Sequence, residues 1–186
     1  MTQDAIASLQ SQFLAHADAC PGEAAEAHLF TALLGEGVHA FTRERLAGHF
    51  TASALLLSAD GRRTLLTHHR KLGRWLQPGG HADGDTDLAR VALKEASEES
   101  GLPGLRVDGG IFDLDRHWIP ERKGVPGHWH HDVRYVVRAG DDERFVVGEE
   151  SNDLAWLDVE AVAADEAMDA SLRRMAHKWL ARAAAQ

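Results

Sequence analysis

The sequence predicts a mixed α/β domain with a helical extension at its N-terminus, on three observations. Short apolar runs bounded by turn residues recur from about residue 50 to residue 158. One stretch of helical periodicity with clear start and stop signals lies among them. Helical spacing also dominates both ends of the chain. Strands that alternate with and flank a helix bury their apolar faces best in layers, which defines the class. At 186 residues the chain has room for one domain with a sizeable core and an addition. The division expected is a helical extension over 1–45 and the main domain over 46–186.

Residues 3–17 place Ile6, Leu9, Phe13 and Ala17 at helical intervals, and 23–35 do so with Ala25, Leu29 and Leu33. "HFTASALLLSADGRRTLLTHHR" then reads as a hairpin, with two apolar runs joined by a Ser-Ala-Asp-Gly turn. Thr86 or Asp87 can cap the next helix, and Leu88, Val91, Ala92 and Ala96 form its apolar face. Gly101 and Pro103 stop it, giving a span of about 87–100. Strands are expected over 105–119 and 131–139, separated by "WIPERKGVPG", and a short one over Asp153–Asp158. From Asp169 to Ala184, Leu172, Met175, Trp179 and Leu180 recur as one face of a closing helix. The small-residue runs Ala161–Ala164 and Ala183–Ala185 suggest solvated helix ends.

A composition of 44% hydrophobic and 26% charged residues is that of a globular protein, and excludes disordered and fibrous classes. A net charge of −9 without any Lys/Arg-rich run argues against a nucleic-acid polymer as partner. Cys20 is the only cysteine, so no intrachain disulfide forms, which fits a reducing compartment. The start MTQDAIASLQ lacks the pattern of a secretion signal, and apolar runs such as Ala54–Leu57 are too short for a membrane span. A cytoplasmic protein with no membrane partner is expected. The N-terminal helices either cover the site or supply a homodimer contact, and periodicity does not choose.

"GGHADGDTDLARVALKEASEESGL" carries the chemistry. A helix turns about 100° per residue, so Glu95, Glu98 and Glu99 fall on one face and repel one another by a few tenths of a kcal/mol per pair. Lys94 is adjacent in sequence but points about 100° away from Glu95. A hard divalent cation answers the repulsion better, because Mg²⁺ takes carboxylate oxygens, keeps waters and completes its shell with phosphate. Pro78-Gly79-Gly80 leads directly into the loop before this helix, and glycines allow a ligand close to the backbone.

Here the sequence resembles the Nudix hydrolase family. Its signature runs Gly, five residues, Glu, seven residues, Arg-Glu-aliphatic, one residue, Glu-Glu, one residue, Gly-aliphatic. Aligned on Gly80, the chain supplies Thr86 for the first Glu, Lys94-Glu95-Ala96, then Glu98-Glu99 and Gly101-Leu102. The resemblance implies a Nudix-like α/β/α sandwich with a mixed sheet. It also implies a cofactor of Mg²⁺ or Mn²⁺ and a small-molecule phosphoanhydride substrate, a nucleoside diphosphate linked to another moiety. It assigns Glu95, Glu98 and Glu99 to metal, with a carbonyl of Gly79 or Gly80 as a further ligand. The base it implies is a glutamate of the helix or of a distant loop: Glu98 first, and second Glu150, which follows Glu149 in "VVGEESNDLAWLD". Two positions depart from the pattern. The family's first Glu and its Arg form a structural ion pair, and Thr86 and Lys94 replace both. Asp83, Asp85 or Asp87 is expected to pair with Lys94 instead, without arginine's planar fork. These changes leave open a non-catalytic nucleotide or metabolite sensor. A weaker alternative is isopentenyl diphosphate isomerase, whose catalytic cysteine would fall near "QPGGH", where the chain has none.

"FDLDRHWIPERKGVPGHWHHDVRYVV" is the second unusual stretch. Alternate strand residues share a face, which groups Asp113, Asp115 and His117, and likewise His128, His130 and Asp132. Antiparallel pairing would bring the sets together as a transition-metal site, a phosphate grip, a proton relay or a polar brace. Arg74, His81, Arg122 and Lys123 are candidates for substrate phosphate. Trp75, Trp118 and Trp129 are either base-stacking or structural.

Overall fold

The structure is a computed structural model of the chain, and it describes residues 3–70, 73–122, 124–148 and 151–185. Helices α1 (Gln3–Ala19) and α2 (Ala24–Leu34) come first, then strands β1 (Gly48–Leu57), β2 (Arg63–His69), β3 (Arg74–Leu76) and β4 (Gly79–His81). Helix α3 (Leu88–Ser100) precedes the long strands β5 (Arg106–Ile119) and β6 (His128–Arg138). Strand β7 (Ser151–Asp158) and helices α4 (Val159–Ala164) and α5 (Ala170–Ala184) close the chain. The sheet is seven-stranded with order β3-β2-β1-β6-β5, and β4 pairs with β1 while β7 pairs with β2. The α/β class and the N-terminal helices expected from the sequence are both present. Among the described residues, no helix is long and apolar enough to cross a membrane.

Two compact units divide the chain. The first holds residues 1–52, 80–91 and 109–135, and the second 53–79, 92–108 and 136–186. The core of the first is aromatic. Phe13 of α1, Phe30 of α2 and Phe50 of β1 lie with ring centroids about 6 Å apart, and Phe41 stands 4.9 Å from Phe50. All are essentially inaccessible, and each is worth roughly 1.5–3 kcal/mol of burial. His131 of β6 joins this apolar wall, 5.3 Å from Phe30. Gly48 is required at the head of β1: its φ is 143°, and a Cβ there would sit 2.4 Å from the carbonyl oxygen of Trp129.

In the second unit, Leu57 of β1 faces Thr64 across the expected hairpin, and β2 runs antiparallel to β7 from Arg63↔Asp158 to His69↔Ser151. Its core gathers Ala54, Leu56, Leu65, Ala96, Leu102, Val137, Ala139 and Leu154. Ala96 and Leu102 belong to the signature itself, so the helix carrying the glutamates is held in rotation by its apolar side. Gly101 ends α3 in the left-handed region at φ 66°, where its N–H donates to the carbonyl of Ser97 at 2.9 Å. The run Ala161–Ala164 proves to be the end of α4, and Val162 and Ala163 there are buried rather than solvated. Strands β3 and β4, at three residues each, are too short to leave a period in the sequence.

Burial holds the imidazole of His131 down at about 4, with Arg116 and Arg45 pushing the same way. Its folded pKa lies below the unfolded value of about 6.5, so the unfolded chain takes up the proton first as pH falls. The stability from keeping this ring neutral is present above pH about 6.5 and is lost on descent toward 4. His131→Leu should shrink the drop in Tm between pH 7 and pH 5 relative to wild type, measured by thermal denaturation. An unchanged drop would contradict this reading.

Candidate active site

Two constellations carry chemistry. The first is the acidic turn of α3. Asp87 caps the helix by accepting the N–H of Arg90 at 3.0 Å, while Asp85 holds the N–H of Asp87 at 2.9 Å and the Arg90 guanidinium at 2.6 and 2.8 Å. Asp83 sits in the left-handed region at φ 47° and takes a two-point grip from Arg43, 2.6 Å at each oxygen. The expected pairing of Lys94 with one of these aspartates is therefore not what forms. Lys94 instead approaches Glu95 at 3.6 Å and Glu98 at 3.5 Å, which raises its pKa. Its long flexible stem overcomes the 100° offset that the helix imposes on the Cβ direction.

The three glutamates differ in setting. Glu99 accepts the backbone N–H of Gly79 at 2.9 Å, which fastens that glycine to the helix. The Glu95 side chain is 18% exposed and that of Glu98 61%. Their donor atoms are not drawn together: among the described residues, only His49–His81–His130 and His16–Cys20–Glu23 form groups with ligand atoms all within 4.8 Å of one another. A hard divalent cation still fits the donor set, which is all carboxylate oxygen, with one glutamate tied to the backbone it would share the ion with. Lys94 does not block such an ion. Its pair with Glu98 is exposed on both sides and worth only about 0–1 kcal/mol, its own ammonium is exposed in both pairs, and the cation brings twice the charge.

The second constellation lies on the face of β1, β5 and β6 opposite the phenylalanines. Arg134 is 2% exposed and is ringed by Asp132 at 2.8 Å, Asp115 at 3.1 Å and Asp113 at 3.4 Å. Burial alone would lower its pKa, but the three carboxylates outweigh that and raise it. Asp132 also accepts the hydroxyl of Thr51 at 2.9 Å. The three aspartates thus converge on a buried cation, and Asp115 also reaches the histidine set, 3.0 Å from Nδ1 of His117. His128 and His130 do come together, with Nε2 atoms 3.3 Å apart, and the His117 ring lies 5.4 Å from that of His130. His81 of β4 and His49 of β1 complete a group of five imidazoles.

The remaining candidates are dispersed. Arg74 is exposed on β3 and pairs with Asp169 at 3.5 Å. Arg122 exchanges backbone hydrogen bonds with Val125 at 3.0 and 3.1 Å, its side chain outward. Trp118 and Trp129 pack edge to face at 5.3 Å with Arg116 over Trp129, and Trp75 packs against His68 at 5.2 Å. Lys123, Glu149 and Glu150 lie outside the described residues. Sequence reasoning missed His49, Thr51 and Arg134. The signal was the alternation in "HFTAS", where His49, Thr51 and Ser53 share one face and Phe50 and Ala52 the other.

The NUDIX domain family model matches residues 48–179, more than half of the chain. The chain belongs to the Nudix family. A putative 8-oxo-dGTP diphosphatase 3 of Mycobacterium tuberculosis is 33% identical over 125 residues, covering 62% of this chain and 55% of its own length. The m7GpppN-mRNA hydrolase NUDT17 of Xenopus laevis is 29% identical over 121 residues, covering 58% and 40%. The chain thus spans about half the length of the curated relatives it matches. An Ap4A hydrolase from C. elegans superposes with a TM-score of 0.59 over 74% of this chain and 98% of its own, at 18% identity, which establishes the Nudix fold alone.

Arg134 offers a test of the buried polar face. Arg134→Met should cost about 3–5 kcal/mol in urea denaturation, because it leaves buried carboxylates unpaired. A loss below about 1 kcal/mol would mean those carboxylates are solvated or protonated in the native state.

Proposed function

We propose that this protein is a divalent-metal-dependent pyrophosphohydrolase that cleaves a diphosphate linkage in a nucleoside diphosphate joined to another moiety. The observation that carries the reading is the glutamate set of α3 at family spacing, with Glu99 clasped to Gly79. In this reading residues 46–186 are the hydrolase domain and residues 1–45 a helical extension. Glu95, Glu98 and Glu99 hold Mg²⁺ or Mn²⁺, with a carbonyl of Gly79 or Gly80 beside them. The bound ion supplies neutralisation of phosphate charge and acidification of a water. Glu99, held by the Gly79 N–H, keeps the glycine backbone against the helix, where a phosphate can approach closely. Glu95, the better buried of the other two, has the smaller freedom to turn away. Glu98 is the most exposed of the three and is the proposed base, accepting a proton from water attacking phosphorus in line. Glu150 is the second choice.

One observation favours a different reading. Lys94 supplies an internal positive charge to Glu95 and Glu98, as a Nudix domain retained only for ligand binding would tolerate. The two readings separate in one assay. Wild-type protein with Mg²⁺ or Mn²⁺ is offered nucleoside triphosphates including 8-oxo-dGTP, ADP-ribose, dinucleotides and dinucleoside polyphosphates, and products are identified. Hydrolysis of at least one substrate is expected, abolished by chelation and lowered about 100- to 10 000-fold in Glu98→Gln. Saturable ligand binding by folded protein with no turnover of any substrate would favour the sensor.

A further inference from the structure

The five imidazoles of the first unit are not explained by the glutamate chemistry. Their ring centroids lie close: His49–His81 5.2 Å, His49–His130 5.2 Å, His81–His130 4.9 Å. Potential ligand atoms of these three all fall within 4.8 Å of one another. Hydrogen bonding alone does not satisfy the group. His49 is 3% exposed, and its Nε2 has no partner among the described residues. Its Nδ1 faces the carbonyl of Arg45 at 3.4 Å, and a carbonyl only accepts, so Nδ1 carries the proton and Nε2 presents a lone pair. His128 repeats the arrangement, with Nδ1 donating to the carbonyl of Pro126 at 2.8 Å and Nε2 turned to His130. A ring N–H given to a backbone carbonyl while the other nitrogen faces inward is the outer-shell arrangement of a metal-ligating histidine.

We propose that His49, His81 and His130 form a site for a divalent transition metal, built from imidazole alone and independent of the hydrolase reading. Imidazole nitrogen suits Zn²⁺, Co²⁺, Fe²⁺ or Ni²⁺, and a set without oxygen does not suit Mg²⁺. Zinc–nitrogen bonds of about 2.0–2.1 Å place tetrahedral ligands about 3.3 Å apart, so closing the group needs side-chain shifts on the order of 1 Å. Three neutral ligands leave the ion's full charge and an open position for water or an anionic oxygen. His128 orients His130 through their 3.3 Å contact. The rings are ready as neutral donors: burial pushes His81 down to about 4 and His130 down to about 2, and lowers His49. The other group, His16–Cys20–Glu23, is satisfied internally, with His16 bonded to Glu23 at 2.7 Å and Glu23 also accepting the N–H of Leu114 at 3.3 Å.

The full chain, stripped with a chelator, is loaded with one equivalent of Zn²⁺ in excess Mg²⁺ and measured by X-ray absorption. The expected shell is imidazole nitrogen at about 2.0–2.1 Å, with at most one light oxygen. A sulfur at about 2.3 Å would move the ion to Cys20, and an all-oxygen shell to the glutamates; either overturns the proposal. No uptake at micromolar Zn²⁺ overturns it as well. Co²⁺ titration followed by visible absorption adds the variants His81→Ala and His130→Ala, each checked for fold by circular dichroism. Each should weaken uptake at least 100-fold, and unchanged affinity in both would count against the assignment. The absorption result on wild-type protein stands even where a variant fails to fold.

Discussion

Three carboxylates forced onto one face of a helix are the constraint from which the second unit's organisation follows. The helix cannot rotate to separate them, because Ala96 and Leu102 are locked into the apolar cluster with Leu56, Leu65 and Val137. Each carboxylate therefore needs a positive partner where it stands. Glu99 finds a backbone N–H from Gly79, and Glu95 and Glu98 share the ammonium of Lys94. The first is a part-buried hydrogen bond to a charged acceptor, of the kind worth about 1.5–3 kcal/mol, and it also sets the position of the glycine loop. The second rests on an exposed ammonium and is weak, so it yields to an ion of higher charge. A fixed loop beside a replaceable counter-ion is what metal-assisted phosphate chemistry needs.

The first unit solves a different problem by strand alternation. Along β1 and β6, one set of residues meets the phenylalanines of α1 and α2, and the other set is polar and still buried. Burying Arg134 with three aspartates avoids the cost of an unpaired charge. Burying His49, His81 and His130 on the same face is tolerable because burial lowers their pKa values and keeps these rings neutral. The same face thus holds fixed ionic charge at one end and neutral lone pairs at the other.

Most of the fold was legible in the sequence, and so was the acidic turn. Periodicity located α1, α2, α3, α5 and the long strands to within a few residues, because each buries one face against a core. It passed over β3 and β4, whose three residues complete no pattern, and it read α4 as a solvated end. The signature fixed the spacing of Glu95, Glu98 and Glu99, but not the partner of Lys94, since a helical projection gives the Cβ direction and not the reach of a four-carbon stem. The histidine face was half legible. His128, His130 and His117 share a strand parity that can be counted, whereas His49 and His81 arrive from strands distant in sequence and needed the sheet order to be seen. Arg134 escaped the count for the same reason: only tertiary structure reveals that three aspartates from two strands share one buried cation.

The central claim is that the α3 glutamates share a divalent ion. Electron paramagnetic resonance of Mn²⁺ measures it directly, since free aqueous Mn²⁺ loses its signal on binding. Wild-type protein should bind Mn²⁺, and the double variant Glu95→Gln, Glu99→Gln should bind at least tenfold more weakly while keeping its fold. Equal affinity in the two proteins, or no binding by either with a nucleotide present, would contradict the account.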